Sequence, residues 1–156
     1  MIIRLANTED QKKVLNVLNK AALDLQNKGI NQWDYPWNEN DAFNQIQSNY
    51  LYIVSVDEQL MGTFGIKEIN RLSDCLIDPD SQYLFQIAIL PEYQGKGYGR
   101  AIIDWACGYA LETNVSLYLD CWAGNDKLKS FYQENGFNYE GDFPEEDYYI
   151  SVFRKI

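Results

Sequence analysis

The sequence predicts an α/β fold with an α+β-type mixed sheet: one domain over residues 1–156, six to seven mostly antiparallel strands and about four helices. Three observations carry this. Apolar residues make up 46% of the chain and charged residues 23%, which is enough to bury one core and lies outside the regime of disordered segments. Segments of strand and helix periodicity alternate along the chain, with no repeat, linker or low-complexity tract between them. A strand, a glycine-rich turn, a helix and another strand follow one another within residues 83–122, the pattern of a parallel crossover unit.

Each element has a local reason. Residues 2–6, IIRLA, form a first strand. Thr8 with Gln11 three residues on makes a capping box, after which Val14, Leu15, Leu18, Ala21, Ala22 and Leu25 recur at helical spacing up to a cap at Gly29. INQWDYPWNEN, 30–40, is aromatic, polar and interrupted by proline, hence a loop whose Trp33 and Trp37 either plug the core or serve a ligand. A short helix around 41–49 carries Phe43 and Ile46. YLYIVSV, 50–56, and LMGTFGIKEI, 60–69, are strands of an antiparallel hairpin turning at Asp57-Glu58-Gln59, with Gly62 and Gly65 marking a bulge or a close approach.

After the polar loop 71–81, YLFQIAIL, 83–90, is apolar on both faces and therefore central in the sheet; Pro91 ends it. Ile102, Ile103, Ala106 and Ala110 line one face of a helix over 98–112, and SLYLDCW, 116–122, is the next strand. A helix over 126–134 stops at Gly136, and strands near 137–141 and 148–154 close the chain around the turn GDFPEED. Aromatic residues in 148–153 make that strand a candidate edge for pairing in a homodimer.

Composition excludes several functions. Acidic residues outnumber basic ones 23 to 13, against a surface that must neutralise nucleic-acid phosphates and in favour of a cationic substrate or plain solubility. No run of about 18 apolar residues occurs, and the start MIIRLANTEDQ has no basic leader, so a cytoplasmic protein without a membrane partner is expected. Cys75, Cys107 and Cys121 are isolated and histidine is absent, so no metal is expected.

One stretch runs against the net charge of −10: QGKGYGR, 94–100, places three glycines and two cations between a strand and a helix. Glycine permits positive φ, which aims consecutive N–H groups at one point, and the helix N-terminus adds its dipole. The result is a nest for phosphate. It is no nucleoside-triphosphate loop, because Lys96 is followed by Gly97 rather than by the hydroxyl residue that holds magnesium. Nor is it a dinucleotide loop, since Arg100 occupies the third glycine's place and Pro91 to Gln94 separate the glycines from the strand.

The remaining pattern, Gln94-Gly95-Lys96-Gly97-Tyr98-Gly99, resembles the coenzyme A loop of the GNAT superfamily of N-acetyltransferases: Gln or Arg, two free positions, Gly, one free, then Gly or Ala. IAILPEYQGKGYG resembles that family's strand-Pro-loop signature, and GNDKLKSFYQENGF, 124–137, its Asn-helix-Tyr-Gly-Phe signature, in the same order and separation. The resemblance covers nearly the whole chain and implies the acyl-CoA N-acyltransferase fold.

It further implies an acetyl-CoA-dependent N-acetyltransferase that releases CoA and acts by direct attack in a ternary complex, without metal. Backbone amides of Gln94, Gly95, Lys96, Gly97, Tyr98, Gly99 and Arg100 would bind the pyrophosphate, and the main chain of Ile87, Ala88 and Ile89 would pair with the pantetheine arm. Tyr132 matches the tyrosine that faces the coenzyme sulfur in many members, and a phenol stays protonated at neutral pH, so it can donate to a departing thiolate. Asn125 matches a family asparagine that contacts the cofactor, and it is equally an N-cap.

The base is less determined. The strand position where some relatives carry glutamate is near Gln86, which takes no proton, so either a water chain or another carboxylate serves. Tyr118, Asp120 and Trp122 share one strand face by alternation, which makes Asp120 a candidate; Glu68, Asp34 and the run at 145–147 are others, with solvated surface as the alternative. The acceptor site of relatives maps onto Gln32, Trp33, Asp34, Tyr35 and Trp37 and onto Glu145, Glu146 and Asp147. Aromatic faces with carboxylates suit an ammonium-bearing acceptor, a small molecule or a peptide amine. The alternative from another class is a noncatalytic acyl-CoA sensor on the same fold.

Overall fold

The computed structural model describes residues 1–30 and 33–155. The strands are β1 (Ile2–Leu5), β2 (Leu51–Val56), β3 (Gln59–Ile69), β4 (Ser81–Ile89), β5 (Leu117–Trp122), β6 (Asn138–Glu145) and β7 (Tyr148–Lys155). They form a seven-stranded mixed sheet in the order β1-β2-β3-β4-β5-β7-β6, with β4 fourth of seven as its two-sided apolar sequence requires. The helices are α1 (Gln11–Asn27), α2 (Glu39–Gln47), α3 (Tyr98–Thr113) and α4 (Asp126–Glu134). No described helix is long and apolar enough to cross a membrane. The chain divides into two compact units, Met1–Ile66 with Gln86–Gly99, and Lys67–Phe85 with Arg100–Ile156.

In the first unit, β1, β2 and β3 pair antiparallel, and Val14, Leu18, Leu51, Ile53, Met61 and Phe64 are buried. The start of α1 differs from the expected Thr8–Gln11 box. Asn7 is the cap: its side chain accepts from the Glu9 N–H at 2.9 Å, and the Asp10 carboxylate accepts from the Asn7 N–H at 2.8 Å. Thr8–Asp10 are a 3-10 turn leading into the helix. Asp10 prevails because Arg4 of β1 grips the same carboxylate at 2.9 and 3.0 Å, a charge-assisted pair that a hydroxyl cap cannot offer. At the other end the Ile30 N–H bonds Leu25 O and the Gly29 N–H bonds Gln26 O, closing α1 in a Schellman motif.

α2 begins two residues earlier than expected, capped by Asn38, and buries Ala42 and Ile46 while Phe43 is exposed. The hairpin turn is tighter than its sequence indicates: Val56 pairs Gln59, leaving Asp57 and Glu58 to adopt φ of 50° and 65°. Two left-handed residues match the twist of the flanking strands. Gly62 proves to be both things glycine signalled. It faces the β2 bulge at Val54/Ser55, and a Cβ there would lie 3.1 Å from the Ala88 carbonyl oxygen.

In the second unit, β4 runs parallel to β5 through Gln82↔Leu117 and Tyr83↔Tyr118, and β5 pairs antiparallel with β7. Ile102, Ile103, Ala106 and Ala110 of α3 are buried, the face that periodicity marks. β6 runs to Glu145 and so through much of the expected turn; only Glu146 and Asp147 remain to reverse the chain. Pro144 is tolerated within it because β6 is an edge strand. β7, in contrast, lies between β5 and β6 with its backbone paired on both sides, which removes it as an edge for homodimer pairing. Asp78 fastens the 70–80 loop, accepting from Ser116 Oγ at 2.6 Å and from Arg154 at 2.9 Å.

Candidate active site

The glycine loop takes the conformation its residues permit. Gly95 and Gly97 have φ of +74° and +86° with Lys96 outside the left-handed region between them, the alternation that turns successive N–H groups to one side. A Cβ on either glycine would meet nothing within 4 Å, so backbone conformation rather than crowding calls for glycine, and space is open before the loop. Gln94 shapes its entry: Nε2 donates to Ile89 O at 3.2 Å, and Oε1 accepts from Lys28 at 3.3 Å. Lys96 lies over the Tyr93 ring at 5.9 Å, and among the described residues neither Lys96 nor Arg100 is ion-paired. The loop thus presents amides and exposed cations, which fits a diphosphate.

Just upstream, Gln86 has φ of +53° inside β4. Its amide exchanges two hydrogen bonds with Gln45 of α2, at 2.8 and 3.0 Å, so it is a neutral clasp at this irregular point of the strand. Ile87 and Ile89 are half-buried and Ala88 is buried. In the same unit Trp33 and Trp37 meet edge-on at 5.6 Å, whereas Asp34 and Tyr35 are exposed; Gln32 lies outside the described residues. The Trp37 backbone N–H is held by Asn19 at 2.7 Å, while its buried indole N–H has no partner among the described residues.

The second unit assembles a different kind of site. Register carries the Tyr118–Asp120–Trp122 face of β5 across Ile150 and Tyr148 on β7 to Phe143 and Glu145 on β6, and to Tyr83 on β4. On this face the Tyr83 hydroxyl donates to Asp120 Oδ1 at 2.9 Å. Burial, with Glu145 adding repulsion, pushes the Asp120 carboxyl up to about 6 even though the Tyr83 hydrogen bond opposes them. Such a carboxylate is ionised at pH 7 and far more basic than a solvated one, the balance a general base needs. Glu146 and Asp147 sit exposed at the hairpin tip, and Glu68 is exposed on β3.

On α4, Tyr132 packs its ring against Phe131, Phe137 and Phe153, the last edge-on at 5.5 Å. Burial, with Cys121 and Asp120 nearby, holds its phenol well above the usual value. Among the described residues its hydroxyl has no hydrogen-bond partner, so the proton is not committed to another side chain. Asn125 caps α4, its Oδ1 accepting from the Leu128 N–H at 3.2 Å, which leaves the amide NH2 for a ligand. A hollow of about 160 Å³ lined by Cys107, Leu111, Val115 and Lys155 contains neither Asp120 nor Tyr132 and belongs to no part of this site.

Sequence reasoning missed Tyr83 and Gln45. Alternation marks one face of a strand, but which residue of a neighbouring strand stands opposite depends on register, for which the sequence carries no local signal.

Comparison with known proteins agrees with this fold. Residues 19–137 match the sequence model of the acetyltransferase (GNAT) family. The chain is 26% identical over 142 residues to the uncharacterized N-acetyltransferase YesJ of Bacillus subtilis, covering 85% of this chain and 79% of that protein. It is 27% identical over 124 residues to a spermidine N(1)-acetyltransferase of Vibrio cholerae, covering 73% and 68%. A GNAT-family acetyltransferase structure from Streptococcus agalactiae superimposes with a TM-score of 0.83 at 20% identity, over 99% of this chain and 94% of that one.

Proposed function

The chain belongs to the GNAT family of acetyltransferases, and from that premise we propose that it moves an acetyl group from acetyl-CoA to a primary amine of a small polyamine-like acceptor. The observation that carries the acceptor class is the sheet face bearing Asp120 and Glu145 among Tyr83, Trp122 and Tyr148, where carboxylates and aromatic rings together attract ammonium groups. Similarity to a spermidine acetyltransferase supports the same class. We read residues 1–156 as one domain, since β3, β4 and α3 each continue from one unit into the other.

Acetyl-CoA supplies the acetyl thioester. The amides of Gly95, Lys96, Gly97, Tyr98, Gly99 and Arg100, with Gln94 shaping their entry, bind its diphosphate; Ile87, Ala88 and Ile89 offer main-chain partners for its arm, and Asn125 its free amide. Trp33, Asp34, Tyr35 and Glu146 contribute to acceptor recognition. An ammonium acceptor loses two protons in all. Asp120 takes the first, making the nitrogen nucleophilic, and passes it to solvent. The nitrogen bonds the thioester carbon, the carbon–sulfur bond breaks, and Tyr132 protonates the sulfur; the second nitrogen proton, released as the amide forms, restores that balance.

Thiol release measured across monoamines, diamines, spermidine, an amino sugar and a peptide amine tests the reading. A diamine is expected to exceed the monoamine of equal length in kcat/KM by about tenfold, the worth of one further charge-assisted contact. Equal values would overturn the polyamine assignment, and turnover with alcohols or thiols alone the amine assignment. The phosphate nest is tested separately. Gly97→Ala forces a side chain into a left-handed backbone at a cost of ~1–2 kcal/mol, so acetyl-CoA is expected to bind about tenfold more weakly by calorimetry. An unchanged Kd would remove the loop from the site. The sensor reading is not favoured, because the relatives bear the names of N-acetyltransferases.

A further inference from the structure

We propose that Tyr83 is a positioning residue for Asp120: its hydroxyl, donated to Oδ1, favours the carboxylate on a sheet face to which register also brings the charge of Glu145. The proposal rests on the reading of Asp120 as base.

The Tyr83 ring stacks on Phe85 at 5.5 Å, nearly parallel at 7°, and packs against Leu72, Tyr118, Ile150 and Val152, so the hydroxyl is presented from a fixed ring. Its 2.9 Å bond occupies Oδ1 and leaves Oδ2 as the oxygen able to take a proton. Burial and the neighbouring Asp120 hold the Tyr83 phenol well above its usual value, which keeps it a donor wherever the enzyme works. Without that donor a carboxylate removed from water would be only about half ionised at neutral pH and serve less well as a base. The groups acting on this carboxyl are Tyr83 of β4 and Glu145 of β6; its own charge in turn adds to burial in raising Tyr148 of β7, Tyr132 of α4 and Cys121 of β5.

The test titrates the Asp120 side-chain carboxyl by carbon-13 NMR in the full-length chain, and measures the acid limb of kcat/KM with spermidine and acetyl-CoA. Tyr83→Phe keeps the ring packing and removes the donor. The NMR midpoint and the acid limb are both expected to move up by about one pH unit, the worth of a hydrogen bond to a charged group. Activity then falls about fivefold at pH 6 with little change at pH 8. Glu145→Gln is expected to move both downward. A role in packing alone would lower kcat at every pH and leave the midpoint in place. An NMR midpoint unmoved in Tyr83→Phe, or one that moves while the acid limb stays, overturns the proposal. If Asp120→Asn retains full activity and the same acid limb, it is the base assignment that fails. The NMR arm needs no acceptor, so it separates the two even if spermidine is not turned over.

Discussion

Replacing Tyr132 by phenylalanine is expected to lower kcat by a hundredfold or more, the typical contribution of a positioned general acid, while leaving the affinity for acetyl-CoA unchanged. The ring is what the fold uses: it closes an aromatic cluster with Phe131, Phe137 and Phe153, and phenylalanine fills the same volume. The hydroxyl serves no described partner, so its removal leaves no buried group unsatisfied and the thermal midpoint should not fall. What is lost is the proton for the leaving sulfur. An acyl donor whose thiol is intrinsically more acidic needs that proton less, and should be slowed far less by the substitution. A kcat within twofold of the parent, or an equal loss with both donors, removes Tyr132 from its role.

Asp120→Asn carries the second large effect, and its consequences for activity and stability have opposite signs. Asparagine retains an oxygen to accept from Tyr83 but takes no proton, so kcat/KM is expected to fall about a hundredfold or more. The acid limb near pH 6 should disappear with it. Stability moves the other way. The folded carboxyl is raised above its unfolded value, so the folded state holds the extra proton. The stability this group contributes is fully present below about pH 4 and is lost as pH rises through about 6. Asparagine has no charge to bury, so the variant should be more stable than the parent at pH 7, by about 3 kcal/mol at most. Denaturant unfolding at pH 4 and pH 7 measures the difference; a gap between variant and parent that does not widen with pH shows that burial does not raise this carboxyl.

Much of the molecule was legible because its signals are local. The caps at Gly29 and Gly136, the α3 face and the glycine loop each follow from residues within one or two turns, and the structure has them where the spacing places them. The errors also share a cause. Thr8 lost the cap to Asn7 because Arg4, on another element, fixes Asp10. Strand β6 passed through Pro144 because only the sheet order makes it an edge, and β7 was enclosed for the same reason. Gln86 was legible as a residue that cannot be a base, but not as half of an amide clasp with Gln45.

By itself, then, the sequence determined the class of fold, the family and the conformation of the glycine loop, since each depends on residue types at short separations along the chain. Tertiary structure alone decided that Asp120 is held by Tyr83 and opposed by Glu145, and that the Tyr132 hydroxyl has no hydrogen-bond partner among the described residues. The physical reason is register: a strand's alternation says which side a residue faces, but the proton affinity of a carboxyl depends on which neighbours pairing brings to that side and how much water packing removes.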